Sequence, residues 1–367
     1  MRDSPAPPVR FCAEFTHHAW TRGDPAAAPA ATLAAAAAAD AAGIDAIWVN
    51  EDPEGWDAFA VLGAIAARTS GAWLGPSVTN PYLRHPNLTA ASVATLDRLS
   101  GGRAVLGLGR GQPEWYERGL GMARGAPFAR LEETVALVRA WQDAAGGHRV
   151  AAPADAEFPV RGWERQLHPL RPFPPVLVAA AGPRALALAG RLADGAIFNG
   201  LTSDEALAAM IPAVRAAAAV AGRDPSRLWF VLRTAATVTA DPEAVLRREK
   251  TLFALVNALP GMDALVHAPG YDVAGLLAEV RRALRTDHLL AEGRAFPDLR
   301  RGDLAAARAA IPDGLIHRLA MAGDAAFVRR RIAAVAALGV THVTLAAPAE
   351  AADPAAWRAA LATLRPD

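Results

Sequence analysis

Acidic and histidine side chains follow two apolar segments near the start of the chain. Glu14 ends the first segment, with His17 and His18 shortly after it, and Glu51 and Asp52 end the second. A carboxyl group in a desolvated pocket can act as a general acid, and histidine titrates near neutral pH. These residues predict proton transfer or substrate hydrogen bonding. The alternatives are a solvated loop with a helix-start signal for the acids, and surface or packing roles for the histidines.

Two glycine-containing segments could hold a ligand through their backbone. In "AAGPRALALAG" (180–190), Gly182 and Pro183 open a helix, and proline suits the first helical position. Backbone N–H groups that lack a partner at such a helix start can bind an anion or the edge of a ring. The alternative is that the segment is an ordinary tight turn between a strand and a helix. The segment "GLGRG" (107–111) is not the dinucleotide fingerprint GxGxxG, and no helix is expected directly after it. A Rossmann-type site is therefore not favoured.

Composition and motifs exclude several classes of function. Lys and Arg number 38 and Asp and Glu number 37, so the net charge is +1 and no basic patch indicates nucleic acid. Cys12 is the only cysteine, which excludes a disulfide within the chain and disfavours a thiolate metal cluster. The sequence contains neither an HExxH spacing nor a GxSxG elbow. We therefore expect no metal site and no serine nucleophile.

The most apolar tract is "AAAPAATLAAAAAADAAG" (26–43), which consists mainly of alanine and includes Pro29 and Asp40. Alanine forms helices well but has little affinity for lipid, so the tract predicts a soluble helix. The start "MRDSPAPPVRF" has no apolar run after its charges and does not resemble a secretory signal. We expect a cytoplasmic protein without membrane association.

Apolar strand-like runs alternate with helical runs along the chain. Because these runs are continuously apolar, they are typical of strands buried on both faces of a parallel sheet. Eight such units predict a (β/α)8 TIM barrel spanning 1–367 as a single domain, with insertions at about 144–174 and 241–312. A doubly wound open sheet is the alternative. The predicted strands are 9–15, 45–51, 72–80, 103–109, 175–180, 195–200, 228–239 and 341–347.

A barrel of this kind carries its active site at the C-terminal ends of its strands. By this rule Asn50, beside Glu51, joins the candidate site residues. The ends of predicted strands three to five are expected to lie at the same rim. We expect the rim to be formed by these groups together with Glu14 and His18.

Three segments together resemble the bacterial-luciferase-like superfamily. They are Gly75–Gly111 ("GPSVTNPYLRHPNLTAASVATLDRLSGGRAVLGLGRG"), Pro174–Gly200 and Gly314–Pro348. Within that superfamily the sequence is most similar to the coenzyme F420-dependent branch, especially the methylenetetrahydromethanopterin reductases. The resemblance implies a (β/α)8 barrel, a homodimer, and a deazaflavin or flavin held across the strand ends.

The resemblance also assigns roles to residues. The Ser77–Val78 peptide corresponds to a strand-three bulge with a non-prolyl cis bond that presses on the cofactor ring. Glu14 matches a strand-one glutamate of the reductases, and we expect Glu14, Glu51 and His18 to be catalytic. The expected cofactor-binding residues are Asn50, Ser77, Val78, Asn80, Gly109, Arg110, Gly111, Ala180, Ala181, Gly182 and Pro183.

The chain departs from the resemblance at the groups that handle protons. Many F420-dependent relatives carry Asp-His at the end of strand two, where this chain has Asn50 and Glu51. An acidic residue is common after the strand-four glycines, where this chain has Gln112. These departures leave the substrate unnamed.

Three functions are compatible with the sequence. The first is F420-dependent hydride transfer to or from a small organic substrate. The second is an FMN-dependent monooxygenase with the same fold, and the third is a flavin-binding protein without catalysis. Roles for Arg84 and His85 stay open between substrate contact and bracing of their loop.

Overall fold

The computed structural model of the chain describes residues 9–21, 24–142, 149–167, 170–171, 174–258, 266, 268–292 and 296–365. Each of the eight predicted strands is present within its predicted range. In chain order the strands are β1 (Arg10–Phe15), β2 (Ala46–Val49), β3 (Trp73–Pro76), β4 (Leu106–Leu108), β5 (Arg149–Ala152), β6 (Val160–Glu164), β7 (Val176–Ala179), β8 (Gly195–Phe198), β9 (Trp229–Val238), β10 (Met321–Gly323) and β11 (His342–Leu345).

Eight of these strands form a parallel barrel in the order β3–β2–β1–β11–β9–β8–β7–β4. The two outer strands of this order meet through the bridges Leu74–Ala104 and Thr79–Leu108. The Thr79 N–H donates to the Gly107 carbonyl at 3.0 Å, and the Gly109 N–H donates to the Thr79 carbonyl at 2.8 Å. Because the ends of the sheet meet, the predicted barrel is confirmed and the open-sheet alternative is wrong.

Helices follow the strands and cover the outside of the barrel. Many begin at an aspartate or serine whose side chain accepts a first-turn N–H, as at Asp57, Ser203 and Asp353. The helices are α1 (Ala28–Ala41), α2 (Ala58–Ala66), α3 (Pro86–Leu99), α4 (Pro113–Leu120), α5 (Pro127–Gln142), α6 (Pro183–Leu192), α7 (Asp204–Val220), α8 (Pro242–Asn257), α9 (Val273–Leu284), α10 (Thr286–Ala291), α11 (Leu304–Ala309), α12 (Asp313–Leu319), α13 (Ala325–Leu338) and α14 (Pro354–Leu364).

Helix α4 corrects an expectation, because no helix was predicted directly after the "GLGRG" segment. It begins at Pro113, two residues beyond Gly111, and ends at Gly121 in the left-handed conformation. Proline at the first helical position loses no hydrogen bond, so a short helix can start immediately after the strand-four loop.

The two insertions have structure of their own. Within 144–174, where no periodicity was apparent, β5 and β6 form an antiparallel hairpin. Between β9 and β10 the chain forms α8 to α12, whose buried apolar residues make a cluster separate from that of the barrel. Among the described residues, none of the helices is both long and apolar enough to cross a membrane.

The interior of the barrel is closed below its C-terminal rim by an apolar floor. Its residues are Cys12, Ala46, Trp48, Val105, Leu177, Ile197 and Val231. Trp48 is among the largest side chains that are fully buried. Burial raises the pKa of the Cys12 thiol to about 12, so this thiol stays protonated at neutral pH. Polar chemistry is therefore confined to the rim above the floor.

Candidate functional site

Strand geometry brings polar residues of three strands directly above the floor. Side chains alternate between the two faces of a strand, so a residue two positions beyond a floor residue also faces inward. Three polar residues stand two positions beyond a floor residue. They are Glu14 on β1, Asn50 after β2 and Arg233 on β9. These strand ends bring together groups that lie up to 219 positions apart in sequence.

Glu14 and Arg233 form an ion pair at this rim. The Arg233 Nε donates to one carboxylate oxygen of Glu14 at 3.2 Å, and Nη2 donates to the other. Burial lowers the pKa of the Arg233 guanidinium, but the carboxylate of Glu14 outweighs it and raises that pKa overall. The Arg233 side chain keeps 28% of its surface exposed, against 11% for Glu14. The pair therefore presents more of its cation than of its anion to the rim.

Glu51 is tied to the loop that leads into α3. Arg84 donates from Nη1 and Nη2 to the two Glu51 oxygens at 2.5 and 2.7 Å. The backbone N–H of Ala58 donates to the same carboxylate at 3.1 Å, and Arg84 also donates to Asp57 at 2.6 Å. Three donors thus engage a carboxylate that is almost completely buried. These contacts brace the loop that carries Arg84.

His17, Asn50 and Asp52 form a hydrogen-bonded cluster between the ends of β1 and β2. The Asn50 Oδ1 accepts the backbone N–H of His17 at 3.0 Å, and Nδ2 lies 3.1 Å from the imidazole Nδ1. The same Nδ2 donates to Asp52, whose Oδ2 is 3.5 Å from Nδ1. The Trp56 indole donates to the Asn50 carbonyl at 2.7 Å. His17 and Asn50 are buried, so the cluster is fixed on all these sides.

His18 lies beside this cluster and contacts the helical insertion. Its ring centroid is 4.2 Å from that of His17. Its Nε2 is 3.4 Å from a guanidinium nitrogen of Arg300, which precedes α11. The insertion between β9 and β10 therefore reaches the rim next to His18.

The strand-three bulge has the geometry that the resemblance implies. The Ser77–Val78 peptide is cis, which confirms that prediction. A Cβ on Gly109 would lie 2.6 Å from Val78 Cγ2 and 3.7 Å from the Ala179 Cβ. A side chain at Gly107 would collide with the Pro76 carbonyl oxygen. The glycines of "GLGRG" are thus required because the bulge packs against the end of β4.

Asn80 connects this wall to α4. Its Nδ2 donates to the hydroxyl of Tyr116 at 3.1 Å, while its Oδ1 accepts the Tyr82 N–H at 3.0 Å. Gly111 has a φ of +72°, and a Cβ there would meet both Asn80 and Tyr116. Burial raises the pKa of the Tyr116 phenol, and the carboxylate of Asp52 adds to that rise. Tyr116 was not anticipated, because α4 was not predicted.

The start of α6 leaves backbone donors uncovered. Gly182 is the N-cap and makes no side-chain cap, and a Cβ on it would meet nothing within 4 Å. Pro183 follows as the first helical residue, and Ala181 and Gly182 are partly exposed. Helix N-termini of this kind bind anions. Arg110, after β4, adds a partly exposed guanidinium that lies 3.6 Å from Glu114.

The described residues contain no group of three or more His, Cys, Asp or Glu side chains that could hold a metal ion. The polar groups of the rim are instead held by ion pairs and by hydrogen bonds to backbone.

A model of the luciferase-like monooxygenase family matches residues 9–342. The chain belongs to the luciferase-like monooxygenase family. The match includes every barrel strand up to the start of β11, and it takes in both insertions.

Individual members of this family resemble the chain over most of its length. The 5,10-methylenetetrahydromethanopterin reductase of Archaeoglobus fulgidus is 28% identical over 311 residues, which are 84% of this chain and 87% of that protein. The structure of the coenzyme F420-dependent tetrahydromethanopterin reductase from Methanopyrus kandleri superposes with a TM-score of 0.73 at 22% identity, covering 96% and 97% of the two chains. An F420-dependent secondary alcohol dehydrogenase, solved with an F420-acetone adduct, gives 0.72 at 18% identity, covering 98% and 100%.

The predicted site residues all lie at the C-terminal rim of the luciferase-like barrel. Val78 packs against Gly109, and Asn80 packs against Gly111. Asn50 and His18 both adjoin His17, whereas Glu14 pairs with Arg233 and Glu51 with Arg84. Their catalytic and cofactor-binding roles stay predictions. The sequence places Arg233 and Asp52 at strand ends as polar residues. It does not indicate which side chains they bond to.

Proposed function

We propose that this protein is a coenzyme F420-dependent oxidoreductase that moves a hydride between the deazaflavin ring and a small organic substrate. The observation that carries the proposal is the match to the Archaeoglobus fulgidus reductase, which extends over 84% of this chain and 87% of that protein. The strand-three bulge, where Val78 packs against Gly109, and the uncovered start of α6 support it.

The rim fits a planar ring with an anionic tail. Val78, backed by the glycine at 109, offers an apolar wall for a ring. The uncovered amides at Ala181 and Gly182 and the guanidinium of Arg110 offer donors for a phosphate-bearing tail. When bound, the deazaflavin would supply or accept the hydride, and the protein would orient it. Asn50, Ala180 and Pro183 complete the proposed contacts.

The three proposed catalytic residues have different surroundings. Glu14 faces inward beside Arg233, and we propose that it contacts the substrate. His18 lies where the insertion meets the rim, and we propose that it assists proton transfer. Glu51 is engaged by Arg84 and the Ala58 N–H, so its geometry favours positioning of the bulge loop over donation of a proton.

A titration with two cofactors tests the proposal. The purified protein is titrated with F420 and separately with FMN, and each dissociation constant is measured by fluorescence. We expect F420 to bind and FMN to bind much more weakly. Tight FMN binding without F420 binding would support the FMN-dependent monooxygenase instead. That alternative is kept because monooxygenases give the family its name.

A substrate screen separates an enzyme from a flavin-binding protein. Reduced F420 is supplied with acetone, cyclohexanone and 2-decanone, and its reoxidation is followed by absorbance. The ketones are chosen because the structurally similar alcohol dehydrogenase was solved with an acetone adduct. Loss of the reduced cofactor together with formation of the alcohol is the expected result.

We also propose that the protein forms a homodimer through the face of α2 and α3. A groove of about 400 Å³ lies between these helices, and Leu88 and Leu99 on its border are 61% and 59% exposed. Exposed apolar side chains beside a groove are typical of an interface. Sedimentation should show a dimer for the native chain and a monomer for the Leu88→Lys/Leu99→Lys variant. A monomeric native chain would contradict the proposal.

Its proposed location is the cytoplasm. The 367 residues contain one cysteine, and the burial of Cys12 leaves no thiol available for a disulfide.

A further inference from the structure

The cluster of His17, Asn50 and Asp52 determines which nitrogen of the imidazole carries the proton. The side-chain amide of Asn50 can be oriented in two ways, but its Oδ1 accepts the backbone N–H of His17 at 3.0 Å. The opposite end is therefore the Nδ2 amine, which lies 3.1 Å from the imidazole Nδ1. The Asp52 Oδ2 lies farther from Nδ1, at 3.5 Å, so the closer Asn50 donor makes Nδ1 an acceptor. Whenever the His17 ring is neutral, its proton is consequently on Nε2.

The Nε2–H group of His17 is the free donor of this cluster. No hydrogen-bond partner for Nε2 is found in the described part of the chain, although the residue is only 6% exposed. The ring packs closely against Gly55, where an added Cβ would lie 2.6 Å from its Cγ, and against the His18 ring, whose centroid is 4.2 Å away. Packing and the Asn50 contact thus hold one N–H donor in a fixed direction.

The cluster lies within the rim of the proposed active site. His17 follows β1 and Asp52 follows β2, on either side of Asn50. The charge of Asp52 acts on Arg233 of β9 and on Tyr116 of α4, which belong to other parts of the same rim. It also acts on Glu54. Asp52 and Glu54 bring two carboxylates to this part of the rim, against the guanidinium of Arg300, so its charge favours a neutral ligand over a carboxylate or phosphate.

We propose that His17 binds the oxygen atom of a neutral ketone or secondary alcohol substrate through Nε2–H, and that Asn50 fixes the required tautomer. This rests on the proposed hydride-transfer function. In the reducing direction the hydride pair from reduced F420 forms the new C–H bond at the carbonyl carbon. The C–O π pair moves to oxygen, a proton from water completes the alcohol, and F420 is left oxidised. His17 stabilises the charge on oxygen and keeps its proton.

Asn50 then acts as a positioning residue, and Asp52 holds the Asn50 amine. An aspartate at position 50 would accept from Nδ1–H, move the proton to Nδ1 and leave Nε2 as an acceptor that repels a substrate oxygen. The two side chains have nearly the same size, but the new carboxylate would lie against that of Asp52, so the tautomer is read directly from the nitrogen shifts of His17.

The experiment measures the tautomer first and without cofactor. The protein is labelled with ¹⁵N-histidine, and the two nitrogen shifts of His17 are recorded at pH about 8, above the usual histidine range. Signals are assigned with His17→Gln. We expect the Nε2-protonated form in the native chain and the Nδ1-protonated form in Asn50→Asp. An Nδ1-protonated native ring would overturn the proposal.

Kinetics on the three ketones named above follow. His17→Phe should lower kcat about 100-fold, the usual effect of losing one such donor, while F420 affinity is unchanged. Asn50→Asp should lower kcat in the same way. His288→Gln, on exposed α10, is the matched histidine control and should keep full activity. Unchanged kcat in Asn50→Asp, or F420 binding without reduction of any of the three ketones, would overturn the proposal. Absence of F420 binding would instead refute the proposed function, while the NMR result would still decide the tautomer.

Discussion

Charged residues at the barrel rim are held in pairs and clusters. Glu14 pairs with Arg233, Glu51 with Arg84, and Asp52 with Asn50 and His17. Partly buried charges are stable only when they are paired or hydrogen-bonded. The pairing fixes the direction in which each of these side chains points. Orientation of the substrate and the cofactor is therefore the main task of these residues.

Replacing one member of an ion pair shows how much the pair contributes to the free energy of unfolding. Arg233→Met should lower the free energy of unfolding by about 1–3 kcal/mol, because Glu14 loses its charged donors above an apolar floor. Urea unfolding at neutral pH measures this value. The Glu14→Gln/Arg233→Met double variant should recover part of the loss. A double variant less stable than Arg233→Met would contradict the argument.

Secondary-structure elements supply the backbone groups of the site. The bulge after β3 packs against the glycines at the end of β4, and α6 begins with two partly exposed small residues. Backbone donors are uncovered at the α6 start because neither Gly182 nor Pro183 offers a side-chain cap. The backbone donors at the start of α6 can reach a ligand only if no side chain fills the space beside Gly182.

Gly182→Ala should separate cofactor binding from stability. Gly182 has a φ of −87° and free space at its Cβ position, so alanine is tolerated by the fold at a cost below about 1 kcal/mol. The added methyl group should weaken F420 binding about tenfold, or about 1.4 kcal/mol, measured by fluorescence titration.

Gly190→Ala on the same helix is the control. A Cβ there would lie 2.6 Å from the Ala217 Cβ of α7, so this variant should lose stability. F420 affinity that is unaffected by Gly182→Ala would show that the α6 start does not hold the cofactor.

On the scale of the whole molecule, the two ends of the barrel differ in character. The C-terminal rim is polar, whereas the opposite end has aromatic residues packed around His342 at the start of β11. The His342 ring stacks on Trp229 at 4.7 Å, and the Thr341 hydroxyl is 2.7 Å from its Nδ1. Burial, with a smaller contribution from Arg10, lowers the pKa of His342 to about 3.

This buried histidine should make the fold sensitive to acid. Its pKa is lower in the folded than in the unfolded chain, so the unfolded chain binds more protons below pH about 6.5 and stability falls as the pH falls. Between pH 7 and 5 the loss from this group is about 2 kcal/mol. Urea unfolding at both pH values should show a smaller loss for His342→Gln than for the native chain. His288→Gln should behave as the native chain, and equal losses in all three would contradict the assignment.

Strand positions, helix order and barrel closure were predictable because continuous apolar runs and helix-start signals are local in sequence. The same holds for the bulge at Ser77–Val78, which lies within one short segment. Helix α4 and the β5–β6 hairpin were missed, since both are short and their burial depends on distant contacts.

By itself, the sequence determined the barrel, its family and the rim on which the polar residues stand. Only the tertiary structure decided what those residues do to one another. It placed Glu51 against Arg84, Glu14 against Arg233, and Asn50 against the Nδ1 of His17. These pairs join residues 33 to 219 positions apart, and no local pattern encodes them. Strand order and register bring them within hydrogen-bonding distance, so the chemistry of the site is a property of the closed barrel.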